Sequence, residues 1–344
     1  ADVDRIDAAA NRVLLPDGPE IPYDVLIIAT GVHPAPEQVE GMVNGDWRKN
    51  VHEFYTFEGA KALTERLKSW QGGRLVVHIC EMPIKCPVAP LEFTFLADAW
   101  LQEKGLREKT EIVYVTPMSG AFTKPVASGI LTRLLDEKRI SVVHDFAIAR
   151  VDAEKKAIVS WDEKEVPYDL LVTVPPNMGE EMIDRSGLGD ELNYVPTDKH
   201  TLQCKAHPNI FVIGDATDCP TSKAGSVAHF ESEVLTENIL HFIAGQPLRS
   251  RFDGHANCFI ESGHGKAFLL DFNYDQEPVT GTFPFPALGP MRLLAESRLN
   301  HLGKMAFRWV YWNILLPGWP IPLVGHKMSL RGKNIPPKEI KAAA

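Results

Sequence analysis

Two hydrophobic rhythms alternate along the chain. Continuous apolar runs at residues 21–31, 74–79, 110–115, 140–144, 166–176 and 207–215 read as buried strands, the first as a central strand covered on both faces. Elsewhere apolar residues recur at helical spacing, as in Phe57, Ala60, Leu63 and Leu67, and predict helices over 57–70, 91–101, 126–138 and 225–244, the last closed by Gly245. Strands alternating with such helices predict an α/β architecture with a parallel sheet. A hairpin over 147–161, turning at 152–156, and another over 256–272 interrupt the series. Two runs open alike, on Pro22-Tyr23-Asp24 and Pro167-Tyr168-Asp169, so one supersecondary unit is expected twice.

The strand, turn and helix between Gly73 and Leu101 carry the most informative pattern. In a dinucleotide-binding unit that turn reads G-x-G-x-x-G, because only glycine lets the backbone approach a pyrophosphate at a helix N-terminus. Here it runs from Cys80 to Pro90 with no glycine, and the next strand ends in Thr116-Pro117 rather than in an acid able to grip a ribose. The architecture of a nicotinamide domain is therefore expected without its phosphate cradle, and Cys86 stands where the glycines would be. Ala29-Thr30-Gly31 closes the first run with small residues, which suits either a flat ligand or simply a buried strand with a tight turn. Gly214-Asp215 ends another strand before a helix led by Gly225, offering a carboxylate for a polyol hydroxyl and a helix N-terminus for an anion or an electron-rich ring edge. Together these patterns are a flavin signal. The expected organisation is tandem Rossmann-like dinucleotide-binding domains, the first incomplete: residues 1–48, 49–178 (degenerate nicotinamide type), 179–248 (return to the first domain) and a C-terminal unit over 249–344.

The last unit differs in character. From 291 to 316 the residues Leu294, Leu302, Met305, Ala306, Trp309, Val310, Trp312 and Leu316 recur at roughly helical spacing among Arg292, Arg298, Lys304 and Arg308. Residues 290–344 carry nine Lys or Arg against two acids, a surplus of seven, so the rest carries −16 of the total −9. Basic residues mixed with Trp and Tyr fit an amphipathic helix in a membrane interface, the alternative being helices packed on the protein's own sheet. The same mixture is unlike a nucleic-acid patch, so no nucleic-acid partner is expected. No run of 18 apolar residues predicts a spanning helix, and residues 1–4 show no signal pattern. Five cysteines are too few for a secreted disulfide scaffold; Cys80, Cys204 and Cys219 read as small buried hydrophobes, and the absence of C-x-x-C pairs speaks against zinc.

The segment Lys85-Cys86-Pro87-Val88-Ala89-Pro90-Leu91-Glu92 resembles the K-C-x-G-A-P-x-E segment of the sulfide:quinone oxidoreductase family, with Val88 in place of the glycine. That family is a membrane-associated branch of the two-dinucleotide-domain flavoproteins. Ala29-Thr30-Gly31, the Gly214-Asp215 strand end, the turn at Pro220 to Gly225 and Cys258 extend the resemblance over essentially the whole chain. Two departures stand out. The family's opening G-x-G-x-x-G unit does not precede residue 1, so a fragment lacking its first strands is expected. No cysteine lies near residues 50–55, where some members carry a third, so a two-cysteine branch is expected.

The resemblance implies FAD, held by Ala29, Thr30, Gly31, Gly214, Asp215, Lys223, Ala224 and Gly225. It implies that Cys86 and Cys258 meet at the flavin, that hydrogen sulfide attacks their disulfide or sulfur-bridged form, and that Glu92 moves the proton. Lys85 and the proline-opened helix N-terminus are expected to favour a Cys86 thiolate. Quinone is the implied acceptor, with Lys304, Phe307, Trp309 and Trp312 as its contacts and those of a membrane surface; Lys304 could support negative charge on the flavin or quinone, but reads more readily as a lysine snorkelling to that surface. A peripheral membrane protein follows, with the side of the membrane and self-association left open. The rival readings are a flavocytochrome c-type sulfide dehydrogenase and a flavin-less sulfur- or quinone-binding relative. The glycine-free turn argues against an NADH dehydrogenase.

Overall fold

The computed structural model describes residues 2–320 and 324–335; Lys338, Glu339 and Lys341 of the basic tail lie outside the described residues. The expected parallel sheet is present. Its five strands run in the order Val51–His52, Leu170–Val174, Gly73–Ile79, Thr110–Val115 and Ser141–Val143, with every neighbouring pair parallel. Helices α1 (Phe57–Lys68), α2 (Ala89–Glu103) and α3 (Pro125–Glu137) cover it. Leu75, Val76 and Val77 are all buried, so successive side chains on both faces are enclosed and the run reads as continuous rather than alternating. Thr56 starts α1 by accepting the Gly59 N–H (2.9 Å), and prolines open α2 and α3, where a missing N–H costs no helical bond.

The two Pro-Tyr-Asp runs are not single strands. Each breaks at the motif, into Ile21–Pro22 and Leu26–Ile28, and into Glu165–Pro167 and Leu170–Val174. The first piece closes a three-stranded antiparallel sheet, with Arg5–Asp7 and Arg12–Leu14 in one copy and Ile148–Asp152 and Ala157–Ser160 in the other. The second piece enters a parallel sheet. Proline cannot extend a ladder of N–H donors, so the repeated motif marks a repeated crossing from one sheet to another. Leu26–Ile28 pairs with Ile210–Val212, and Ile27 is 48% exposed, so this strand lacks the double cover expected of it. Beyond the motifs, Val32–Pro34 and Asn177–Gly179 pair with each other, tying the two copies together. Helices α4 (Glu181–Arg185) and α5 (Gly225–Ile243) complete this half of the chain.

The helical spacing read from residue 291 is also corrected. Residues 291–293 belong to a hairpin of Thr280–Phe285 and Gly289–Leu293, and α6 (Arg298–Val310) begins only where Ser297 accepts the Asn300 N–H (3.0 Å). Pro284, Pro286 and Pro290 hold that stretch extended, so its apolar residues follow strand geometry. A π-helical turn, Tyr311–Leu315, continues α6. The hairpin Ala256–Gly263 and Lys266–Phe272 is placed by one close approach: at Gly263 (φ +89°) a Cβ would lie 2.7 Å from the Ala99 Cβ of α2. Glycine there lets the Cys258 strand press against the helix that follows Cys86.

Candidate functional site

Cys86 lies beyond the carboxyl end of Gly73–Ile79, the edge of a parallel sheet where ligands bind. Its φ of +50° is left-handed, an unusual conformation for a residue with a Cβ. Three hydrogen bonds hold it there: its N–H donates to the Lys223 carbonyl (2.6 Å), while its own carbonyl accepts the Ala89 N–H (2.8 Å) and the Tyr55 hydroxyl (3.3 Å). The bond to Lys223 docks the cysteine loop of one sheet onto the Gly214–Gly225 loop of the other. The thiol itself is exposed to a cavity of about 800 Å³. Cys258, buried on its strand, lines the same cavity with Ser222 Oγ 3.9 Å from its sulfur. The structure thus brings together two cysteines from distant parts of the sequence.

Both thiols are poised to stay protonated. Burial pushes Cys258 up to about 12, with the neighbouring Cys86 thiolate adding to the effect. Desolvation and the Glu92 carboxylate raise Cys86, against which Lys304 pulls down. The expected support from Lys85 is not found. Its ammonium donates to the Val32 carbonyl (3.4 Å) and faces the Tyr55 ring, whereas Lys304, reaching in from α6, carries the positive charge beside the thiol. Lys304 also pairs directly with Glu92, whose carboxyl is raised by desolvation and lowered by that ammonium.

Around these polar groups the cavity is aromatic and aliphatic. Phe54 and Phe93, stacked at 5.0 Å, meet Phe230, Phe259 and Phe283 on the walls, and α6 contributes Phe307 and Val310. The four C-terminal residues singled out from sequence therefore divide. Lys304 and Phe307 line the cavity; Trp309 and Trp312, each 62% exposed, lie on an outward face with Leu302 and Met305. No helix among the described residues is long and apolar enough to cross a membrane.

The residues expected to hold a flavin converge as well. Ile28 is opposite Val212 in the parallel pair, and the Ile213 N–H bonds to the Ile28 carbonyl (3.1 Å), so Ala29-Thr30-Gly31 and Gly214-Asp215 leave adjacent strand ends. Apart from chain neighbours and the helix's own backbone, no atom lies within 4 Å of a Cβ built on Gly31 or Gly225, and Ala224 precedes α5 without a side-chain cap, so the helix N-terminus is left uncapped by any side chain. Such a cradle fits a flat, electron-rich ring and its ribityl chain. Burial pushes the Asp215 carboxyl up, while Lys223 and Lys85 draw it down. Lys223 serves the shape of the turn, since its buried ammonium donates to the Asp215 (2.9 Å) and Thr217 (2.8 Å) carbonyls and sits over the Tyr194 ring.

Several residues of this site escape a reading of the sequence. Glu261 and His301 form a pair (3.0 Å) beside Glu92 and Lys304, and Glu231 accepts the Gly214 N–H (2.6 Å) from beneath the turn. Nothing in their local sequence marks them, since each partner lies at least 17 positions away.

No family model matches the chain. The mitochondrial sulfide:quinone oxidoreductase of Mus musculus is 27% identical over 339 residues, covering 96% of this chain and 74% of the relative. That of Dictyostelium discoideum is 27% identical over 317 residues, covering 90% and 68% respectively. Among solved structures, the sulfide:quinone oxidoreductase of Aquifex aeolicus shares the fold, with a TM-score of 0.73 over 92% of this chain and 75% of that one at 20% identity. Over nearly its whole length the chain is similar to the sulfide:quinone oxidoreductases, and these relatives support an FAD-dependent oxidoreductase.

Proposed function

We propose that the protein oxidises sulfide and passes the two electrons to a membrane quinone. The observation that carries this reading is the shared cavity: Cys86 and Cys258 open into one apolar space whose other charged groups are the Glu92–Lys304 pair. A disulfide between the two cysteines is the electrophile. Hydrosulfide attacks the Cys258 sulfur, the S–S bond breaks, and the Cys86 thiolate leaves; a persulfide remains on Cys258. The direction follows from the leaving group, because the lower-pKa thiol departs more easily and Cys86 alone has an ammonium beside it. Glu92 takes the proton lost on the way to sulfane sulfur. FAD, if bound at the Gly31 and Gly214 strand ends, would supply a two-electron relay between sulfur and acceptor. Asp215 and the first amides of α5 would hold it, with Lys223 keeping the turn in shape.

The acceptor is read as a quinone because a polar carrier would be poorly solvated among Phe54, Phe93, Phe259 and Phe307. The outward face of α6 rests on the membrane surface that holds such an acceptor, which makes the protein peripheral. The test is sulfide-dependent reduction of a quinone analogue by flavin-loaded wild type, Cys86→Ser and Cys258→Ser. Loss of turnover in both variants with flavin content intact is expected. Turnover near wild type in both would make the cysteines structural and remove the reading.

A further inference from the structure

On α6, His301 and Lys304 are three residues apart and so share a face, about 4.5 Å apart along the axis. Each holds a carboxylate from a different element. Lys304 pairs with Glu92 of α2 in the cavity, and His301 Nδ1 lies 3.0 Å from both carboxylate oxygens of Glu261 on the Cys258 strand. The two pairs sit one turn apart on α6, and Glu261 acts on the Glu92 carboxyl, its charge raising it and its backbone N–H lowering it. They differ in access: the Glu261 side chain is 10% exposed, whereas its partner His301 is 29% exposed and reaches water. Of the other charges on the packed elements, Lys266 is held by Glu296 (2.9 Å), and His264 in the hairpin turn meets Gln102 (3.2 Å). Neither competes for Glu261 or His301.

We propose that Glu261 and His301 form the water-side end of a proton line that ends at Glu92 and Lys304, and that this line supplies the acceptor's reduction. The proposal rests on the sulfide-to-quinone reading. Its balance is HS⁻ + H⁺ + Q → sulfane sulfur + QH₂: two electrons leave sulfur, hydrosulfide yields one of the two protons, and water must supply the other. The walls around the acceptor are apolar, so that proton needs a route. The Glu92–Lys304 pair gives a proton to the carbonyl oxygen of the reduced acceptor, and His301, through Glu261, replaces it. Glu261 and His301 touch neither substrate nor cofactor and are positioning residues for this transfer.

The test follows sulfide-dependent quinone-analogue reduction by the flavin-loaded protein across pH, together with proton uptake read by an indicator dye. His301→Gln and Glu261→Gln are each expected to lower kcat about tenfold while the quinone KM stays within about twofold. Added imidazole should restore much of the rate lost in His301→Gln. Unchanged kcat, a quinone KM that rises along with the loss of kcat, or a loss that imidazole does not rescue overturns the proposal. If His301→Gln does not fold, the kcat, KM and proton uptake of Glu261→Gln decide by the same criteria. Wild type without sulfide-dependent turnover would instead fail the underlying reading; an active wild type with fully active variants fails the proton line alone.

Discussion

Glu231 offers a sharp quantitative test of the flavin end of the site. It is fully buried on α5, with one carboxylate oxygen accepting the Gly214 N–H (2.6 Å) and the other lacking any partner among the described residues. Burial pushes its pKa from 4.5 to about 8, against the Gly214 N–H and Lys223, which lower it. Between those two values the unfolded chain has released the proton and the folded chain keeps it. Stability therefore falls as pH rises through this window, by about 1.4 kcal/mol per pH unit, or about 3 kcal/mol by pH 7. Glu231→Gln stays neutral at every pH and keeps an oxygen for Gly214, so the variant lacks this slope; its new amide adds only an offset independent of pH. With an unfolding entropy of roughly 0.7 kcal/mol/K for a chain of this size, the variant should gain about 4 °C in Tm over wild type between pH 4.5 and 7. The assay is thermal denaturation followed by circular dichroism across that range, at equal flavin loading and fixed ionic strength. A Tm difference that stays flat with pH would refute the reasoning, because a buried neutral Glu231 requires it to change.

Two further outcomes follow from the site. Cys86 is the exposed cysteine of the five, so iodoacetamide should label it first, and Lys304→Met should slow that labelling severalfold by raising the thiol pKa further; an unchanged rate would show that the Lys304 charge does not reach the sulfur. Replacing the outward Trp309 and Trp312 by Glu should abolish co-sedimentation with anionic vesicles while shifting stability by no more than about 0.5 kcal/mol, since both are exposed; retained binding would remove the interface reading.

The elements legible in the sequence are those specified locally. The apolar run 74–79, the glycine-free turn and the helix after Pro90 need only neighbouring residues to be read, and the structure reproduces them. The Pro-Tyr-Asp repeat is visible as a repeat, but not as a crossing between sheets, because proline's effect depends on which strand receives the chain next. The hairpin ending at Leu293 escapes the periodicity because its apolar spacing also fits a helix, and prolines decide between the two. Charge placement is least legible. Lys85 adjoins Cys86 in sequence yet points toward Val32, while Lys304, 212 positions from Glu92, supplies the ammonium. The Glu261–His301 pair is hidden for the same reason, since tertiary packing brings its two halves together.

The residues that break local rules cluster, and their clustering is the strongest structural argument for chemistry here. Cys86 adopts a left-handed backbone that glycine would hold more easily, and it is pinned there by contacts from two sheets. Glu92 and Lys304 form an ion pair among phenylalanines, where apolar side chains of similar volume would serve stability as well or better. Trp309 and Trp312 leave large apolar surfaces in water on the reverse face of the helix that delivers Lys304. A core selected for stability alone would retain none of these. Each is accounted for if one helix must present an apolar face outward toward a membrane and a cation inward toward the cysteine cavity.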